Sequence, residues 1–369
     1  MGQTKKSFTG VKRNKTKSKH TTKGKHTTKG KHTTKGKHTT KGKHTTKGKH
    51  KNKTKNKTLK TINIIKGNIS VENIDDKRSL LISKGNKIII ELVKKFSGGK
   101  SGDLVYLIKD KKKEYVMKIF MDHGSANHEI KLHDKHCKIF KNNMMVPELF
   151  SYGDTSNIPF SDKKGKFKYM IMESINEPTE LSDYIRKNCK SVKDKNINPY
   201  NLALQLFYYL AMINKNKVRH CDIHTKNILI IKSKKDLILD FSFINGDKIN
   251  VGKFNIKIID FGISEINKDC KRNRRFIGAV LNDIKACNAF NTKDIIHLKK
   301  DMSSMFLSSF SKKFRPKYIN EDLYIFLKIL RLLNLITKKI NKTMIDNIQY
   351  LVKHNEKRLF EKIYNILVS

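Results

Sequence analysis

The sequence predicts an α+β protein, with a small, mostly antiparallel β-rich part, a larger helical part and a basic N-terminal tail that does not fold. Three observations carry this. Short runs rich in Ile, Val and Tyr, separated by Gly, Lys and Asn, recur through residues 86–175. Apolar residues at spacings of three and four fill residues 200–215 and 321–368. Residues 1–60 hold 22 Lys or Arg, no acid and too few apolar side chains to offset the entropy of ordering.

Of the net charge of +47 on 369 residues, +25 remains on the 309 residues beyond that tail, which excludes an acidic solubilising protein and favours acidic or phosphate-rich partners. Between Lys19 and Lys49 the hexamer H-T-T-K-G-K recurs, setting His20, His26, His32, His38, His44 and His50 six residues apart. That period fits neither helix nor strand, so the segment reads as a polycation. It either binds nucleic acid or another polyanion in a salt-sensitive way or is a solvated low-complexity expansion. Five widely spaced cysteines without a C-x-x-C pair argue against a disulfide framework or zinc ribbon and for an intracellular setting. The most apolar helical stretch, Leu202 to Ile213, falls short of the roughly 20 residues of a membrane span. No apolar core follows the basic N-terminus, so no secretory signal is expected, and Lys6 stands where a myristoylation motif needs Ser or Thr.

In chain order, residues 61–85 read as a linker or an extension of the β-rich part, residues 86–175 as the β-rich part itself and residues 176–369 as the helical part. Lys87 to Val93 reads as a strand, leading into Phe96-Ser97-Gly98-Gly99-Lys100-Ser101-Gly102-Asp103-Leu104. A second strand, the polar turn Lys111–Lys113 and a third strand, Tyr115 to Phe120, follow. Glycines at 98, 99 and 102 let backbone N–H groups approach phosphate without a Cβ in the way. A Walker A loop is excluded, because Lys94 stands where its first Gly belongs and a strand follows where a helix is needed. Tyr169 to Ile175 is an apolar strand running into a polar linker, Leu181 starts a helix and Tyr200 to Lys215 forms a longer one.

Two segments then carry the chemistry. His220-Cys221-Asp222-Ile223-His224-Thr225-Lys226-Asn227 has the form H-x-D-x-x-x-x-N, and Ile258-Ile259-Asp260-Phe261-Gly262 follows it. With the glycine segment and Val116-x-Lys118 upstream in order, this set resembles the protein-kinase-like superfamily over about residues 86–335. The lysine-rich, divergent core is similar to serine/threonine-protein kinases of large DNA viruses, and the resemblance implies an intracellular setting, host cell or virion if viral.

The resemblance implies a two-lobed fold, an N-lobe over 86–175 and a C-lobe over 176–369, with ATP and Mg2+ as cofactors and a protein hydroxyl as acceptor. By it, Asp222 is the catalytic base, Asn227 and Asp260 hold Mg2+, and Lys118 binds the α/β-phosphates oriented by Glu129. The alternative for Glu129, 11 residues after Lys118, is a solvated helix charge. Ser97, Gly98, Gly99, Gly102 and Leu104 cover the nucleotide, and Met172, Glu173 and Ile175 border the adenine at the inter-lobe hinge.

Several positions depart from the family pattern. Ser97 replaces the first loop glycine, Cys221 replaces the Arg that pairs with a phosphorylated activation loop, and no A-P-E follows Asp260. His224 stands where serine/threonine kinases carry a phosphate-contacting Lys, and is similar to the aminoglycoside and choline kinases. Asp240, in Asp240-Phe241-Ser242, competes with Asp260 as metal ligand; Asp260 is preferred for its preceding strand and Gly262, making residues 233–253 an inserted hairpin that turns at Asn245-Gly246-Asp247. By the resemblance Asp301 either braces the catalytic loop or is an exposed Asp at a helix start, and Lys271 to Arg275 reads as a solvated or acid-attracting cluster. His133, His136 and Cys137 read as a surface helix rather than a metal site. The competing functions are a protein kinase, a small-molecule hydroxyl kinase, and a pseudokinase scaffold whose tail binds nucleic acid.

Overall fold

The computed structural model describes residue 62 and residues 65–96, 102–111, 113–142, 144–189, 196–268, 321–354 and 356–369, all within the unit Thr58–Ser369. The repeat tail, Ser97 to Ser101, Lys271 to Arg275 and Asp301 lie outside the described residues. The α+β class holds. A seven-stranded antiparallel sheet dominates the first half, and six α-helices occur among the described residues.

The sheet runs β1-β2-β3-β4-β5-β7-β6, from β1 (Ser70–Asn73), β2 (Arg78–Ser83), β3 (Asn86–Phe96), β4 (Leu104–Lys109) and β5 (Glu114–Phe120) to β6 (Leu149–Asn157) and β7 (Lys164–Glu173). Ser83 pairs with Asn86, leaving Lys84 (φ 47°) and Gly85 (φ 75°) as a two-residue turn, the left-handed pair that matches strand twist. Residues 70–83 thus extend the sheet rather than form a linker, and Ile62, Ile65 and Ile69 enter its core. β6 was not legible as a strand: L-F-S-Y-G-D-T-S-N does not alternate, and it takes the sheet edge with two register shifts.

The helix expected around Glu129 starts early. α1 spans His123–Ile139, capped by Asp122, whose carboxylate accepts the N–H groups of Gly124 and Ser125 at 3.1 and 3.0 Å. It packs on β5, β6 and β7. The surface reading of His133 and His136 is overturned, because both lie on the buried face of α1 with Ala126, Glu129, Ile130 and Leu132. His136 stacks on Phe261 at 4.2 Å, His133 meets the same ring edge-on at 5.1 Å, and His220 lies 5.2 Å from it. Among the described residues no group of three or more His, Cys, Asp or Glu could hold a metal ion.

Burial first, and the neighbouring His220 second, push the His136 imidazole down to about 3. Its Nδ1 bonds the Leu132 carbonyl at 2.8 Å and its Nε2 is a buried acceptor without a partner. The unfolded chain therefore binds a proton at this site below about pH 6.5 while the folded chain does not, so this contribution to stability is lost as pH falls. His136→Phe should gain about 2 kcal/mol on wild type between pH 7 and pH 5, at about 1.4 kcal/mol per pKa unit. Urea titrations at the two pH values check this; a gap that does not change with pH contradicts it.

The second half has its own core. α2 (Leu181–Cys189) and α3 (Pro199–Lys215) precede α4 (Glu321–Asn334), α5 (Lys342–His354) and α6 (Leu359–Val368). α3 begins at Pro199 behind an Asn198 cap and is buried nearly all round, with Phe207 against Phe326 at 5.8 Å and Phe360 at 5.9 Å. Gln205, the polar interruption in that run, bonds the Phe254 carbonyl and the Ile256 N–H at 2.6 and 2.8 Å, tying α3 to a strand. That strand, β13 (Phe254–Ile258), pairs with β10 (Ile228–Lys232), which pairs with β8 (Thr179–Glu180). β9 (Val218–Arg219) pairs with β14 (Glu265–Ile266). No helix among the described residues is long and apolar enough to cross a membrane.

The inserted hairpin is present as β11 (Ile238–Asp240) and β12 (Lys248–Asn250). Its loop is longer than the turn residues implied, with a single 3-10 turn at Ser242–Ile244 and Asn245 left-handed. Gly246 is required by space: a Cβ there would sit 2.6 Å from the Tyr364 ring and 2.8 Å from the Phe241 Cβ. Gly246→Ala is expected to cost about 1–3 kcal/mol in thermal or urea unfolding, as overpacking does.

Candidate active site

Between the seven-stranded sheet and the β10–β13 pair lies a cavity of about 1020 Å³. Strand alternation decides which side chains reach it. On β5, Tyr115, Met117 and Ile119 enter the sheet core, so Val116 and Lys118 face the cavity. β4 behaves likewise, and here one expectation fails. Leu104 packs with Tyr106 and Ile108 on the core side, and Val105 and Leu107 line the cavity instead. A one-residue offset in reading the glycine segment moved the contact to the opposite face. Leu229 and Ile259 lie on the other side of the cavity, and Met172, Glu173 and Ile175 border it as expected. Gly102 is left-handed at φ 74° with open space around it.

Lys118 is held by Glu129, whose two carboxylate oxygens lie 2.8 and 2.7 Å from its Nζ. The solvated-charge alternative for Glu129 is thereby excluded. Burial opposes the charge on Lys118, but Glu129, aided by Asp103 and Asp260, more than offsets it and raises the ammonium pKa. Asp260 is left-handed at φ 64°, a conformation that costs about 1 kcal/mol or more outside glycine. Gly262 leaves room for it: a Cβ there would meet Glu129 Oε2 at 3.2 Å and Asp260 Oδ1 at 3.4 Å.

Asp222 and Asn227 adjoin this group. The Asn227 side-chain amide donates to the Asp222 backbone carbonyl at 3.0 Å, and the Asn227 backbone carbonyl accepts the Ile259 N–H at 3.0 Å, which ties the loop to the strand before Asp260. Burial first, then the negative charge of Asp260, push the Asp222 carboxyl up to about 7. A carboxylate so poised is suited to take a proton near neutral pH. His224 Nε2 lies 3.9 Å from Asp222 Oδ2, and its Nδ1 accepts the Lys226 N–H at 3.2 Å. Asp240, by contrast, sits on the inserted hairpin, where its carboxylate accepts the Ser242 N–H at 3.0 Å and lies 3.5 Å from Lys248.

Three further residues were not foreseen. Asp322, at the start of α4, is fully buried and accepts the backbone N–H groups of His220 and Cys221 at 2.9 and 3.0 Å. This is the bracing role expected of Asp301. Cys221, whose N–H Asp322 accepts, is left-handed at φ 66° and is disulfide-bonded, against the sequence expectation of cysteines without a disulfide framework. Lys257, buried on β13, pairs with Glu173, whose carboxylate also accepts the Glu148 N–H at 3.1 Å, so the end of β7 is tied to the second core. Asp103, also buried, lies 3.4 Å from Lys118.

Asn227 and Asp260 supply two hard oxygen atoms, a set that suits Mg2+ when phosphate oxygens and water complete its shell. Neither a scan against protein-family models nor a search of curated proteins found a match for this chain.

Proposed function

We propose that the chain is an ATP- and Mg2+-dependent kinase that transfers the γ-phosphate to Ser or Thr hydroxyls of proteins. The observation that carries this reading is the Lys118–Glu129 ion pair facing, in one cavity, an Asp260 that adjoins Asp222 and Asn227. Separate hydrophobic cores in the sheet and in the helical part support the two-lobed protein-kinase-like arrangement.

Phosphoryl transfer asks mainly for positioning and charge neutralisation. Lys118 would hold the α/β-phosphates, while Asn227 and Asp260 would hold Mg2+, which neutralises phosphate charge when bound. Asp222 orients the acceptor hydroxyl and takes its proton as the new O–P bond forms and ADP departs. His224, donating from Nε2, is placed beside Asp222 to meet the transferring group.

His224 also supports a second reading, a small-molecule hydroxyl kinase, against which the +25 outside the tail weighs for any cationic acceptor. Incubation with γ-labelled ATP and a mixture of protein and small-molecule acceptors separates these. Label on protein is the expected result, and label confined to a small acceptor supports the alternative. No transfer, together with salt-sensitive nucleic-acid retention lost on removing residues 1–60, identifies a scaffold.

A further inference from the structure

We infer that Asp103 is a built-in competitor of the nucleotide phosphates for Lys118. The inference rests on the phosphate-binding role of Lys118 proposed above. An ammonium has three N–H donors. Glu129 engages Lys118 Nζ through both oxygens, at 2.8 and 2.7 Å, and Asp103 Oδ2 stands a further 3.4 Å from the same nitrogen. A phosphate oxygen therefore reaches this ammonium only at the expense of one of these carboxylates.

Asp103 is the one placed to yield. Glu129 is fixed in the second turn of α1 with both oxygens engaged at 2.8 and 2.7 Å, whereas Asp103 makes the longer contact, 3.4 Å, through one oxygen. Asp103 is nevertheless built in rather than incidental. It is 4 % exposed, and its Oδ1 accepts the Met121 N–H at 3.2 Å, which holds the carboxylate beside the end of β5. Asp103 thus keeps Lys118 neutralised and weakens nucleotide binding.

The test is equilibrium binding of a fluorescent ADP analogue, with and without Mg2+, and KM for ATP, in wild type, Asp103→Asn, Lys118→Met and the double variant. Asp103→Asn should bind ADP about 3- to 10-fold more tightly, as expected for loss of one partly screened charge contact. The change should appear in KM rather than kcat and vanish in the Lys118→Met background. Asp103→Ala, with its thermal unfolding recorded, guards against an effect of the Asn side chain. Unchanged or weaker binding by both folded variants overturns the competition, as does a tightening that persists without Lys118. Failure of every variant, wild type included, to bind nucleotide overturns the nucleotide reading and the competition with it; wild-type binding that Lys118→Met leaves unaltered removes the competition alone.

Discussion

Asp222→Asn is expected to lower phosphate transfer by about 10²- to 10⁴-fold, the range typical of losing a positioned general base. The amide keeps the shape of the carboxylate, so nucleotide binding and stability should change little, and the effect belongs in kcat. Burial and Asp260 hold the Asp222 carboxyl up to about 7, so the active, deprotonated form is lost as the solution is acidified. A cation at Asp260 removes part of that repulsion. The acid limb of the wild-type rate profile should therefore lie at or below pH 7, with the rate falling as pH drops through it. Steady-state kinetics from pH 5 to 8 check both statements; a variant that retains a tenth or more of wild-type kcat contradicts the role of Asp222.

The second large effect is expected at Asp322→Ala. Removing this carboxylate leaves the N–H groups of His220 and Cys221 buried without their acceptor, at about 1–3 kcal/mol each, a total of about 2–6 kcal/mol. Cys221, left-handed at φ 66°, also loses the acceptor of its N–H, and Asp222 is the next residue. Lower stability in urea should therefore accompany slower transfer at temperatures where the variant remains folded. Asp322→Asn retains one acceptor oxygen and should fall between. A loss under about 1 kcal/mol with unchanged kcat would show that the loop holds its shape without Asp322.

Most of the proposed centre was legible because its residues sit in short, ordered segments: Lys118 on an alternating strand, Asp222 and Asn227 five apart in one loop, Asp260 after an apolar strand. What was missed has a physical reason in each case. Asp322 belongs to no local pattern; it stands at the head of an apolar helix, and only tertiary packing brings it to residues about a hundred positions earlier. Leu104 and Val105 both fit a strand that starts after glycine, and the choice between them depends on register, which the glycine segment does not fix. His133 and His136 look polar in isolation, yet a neutral imidazole whose ring bonds one carbonyl is stable in an aromatic core. β6 carries too many polar residues to read as a strand and is held in place by β7.

Asp240 competed with Asp260 as sequence, where the preceding strand and Gly262 favoured Asp260, and the two are distinct in the structure. One is spent on the inserted hairpin, and the other lines the cavity with Lys118 and Glu129. Transfer of labelled γ-phosphate by wild type, Asp240→Asn and Asp260→Asn, run side by side with Mg2+, tests the proposed centre most directly. Wild type and Asp240→Asn should transfer alike while Asp260→Asn transfers little or none; transfer lost with Asp240→Asn but kept with Asp260→Asn, or absent from wild type, would contradict it.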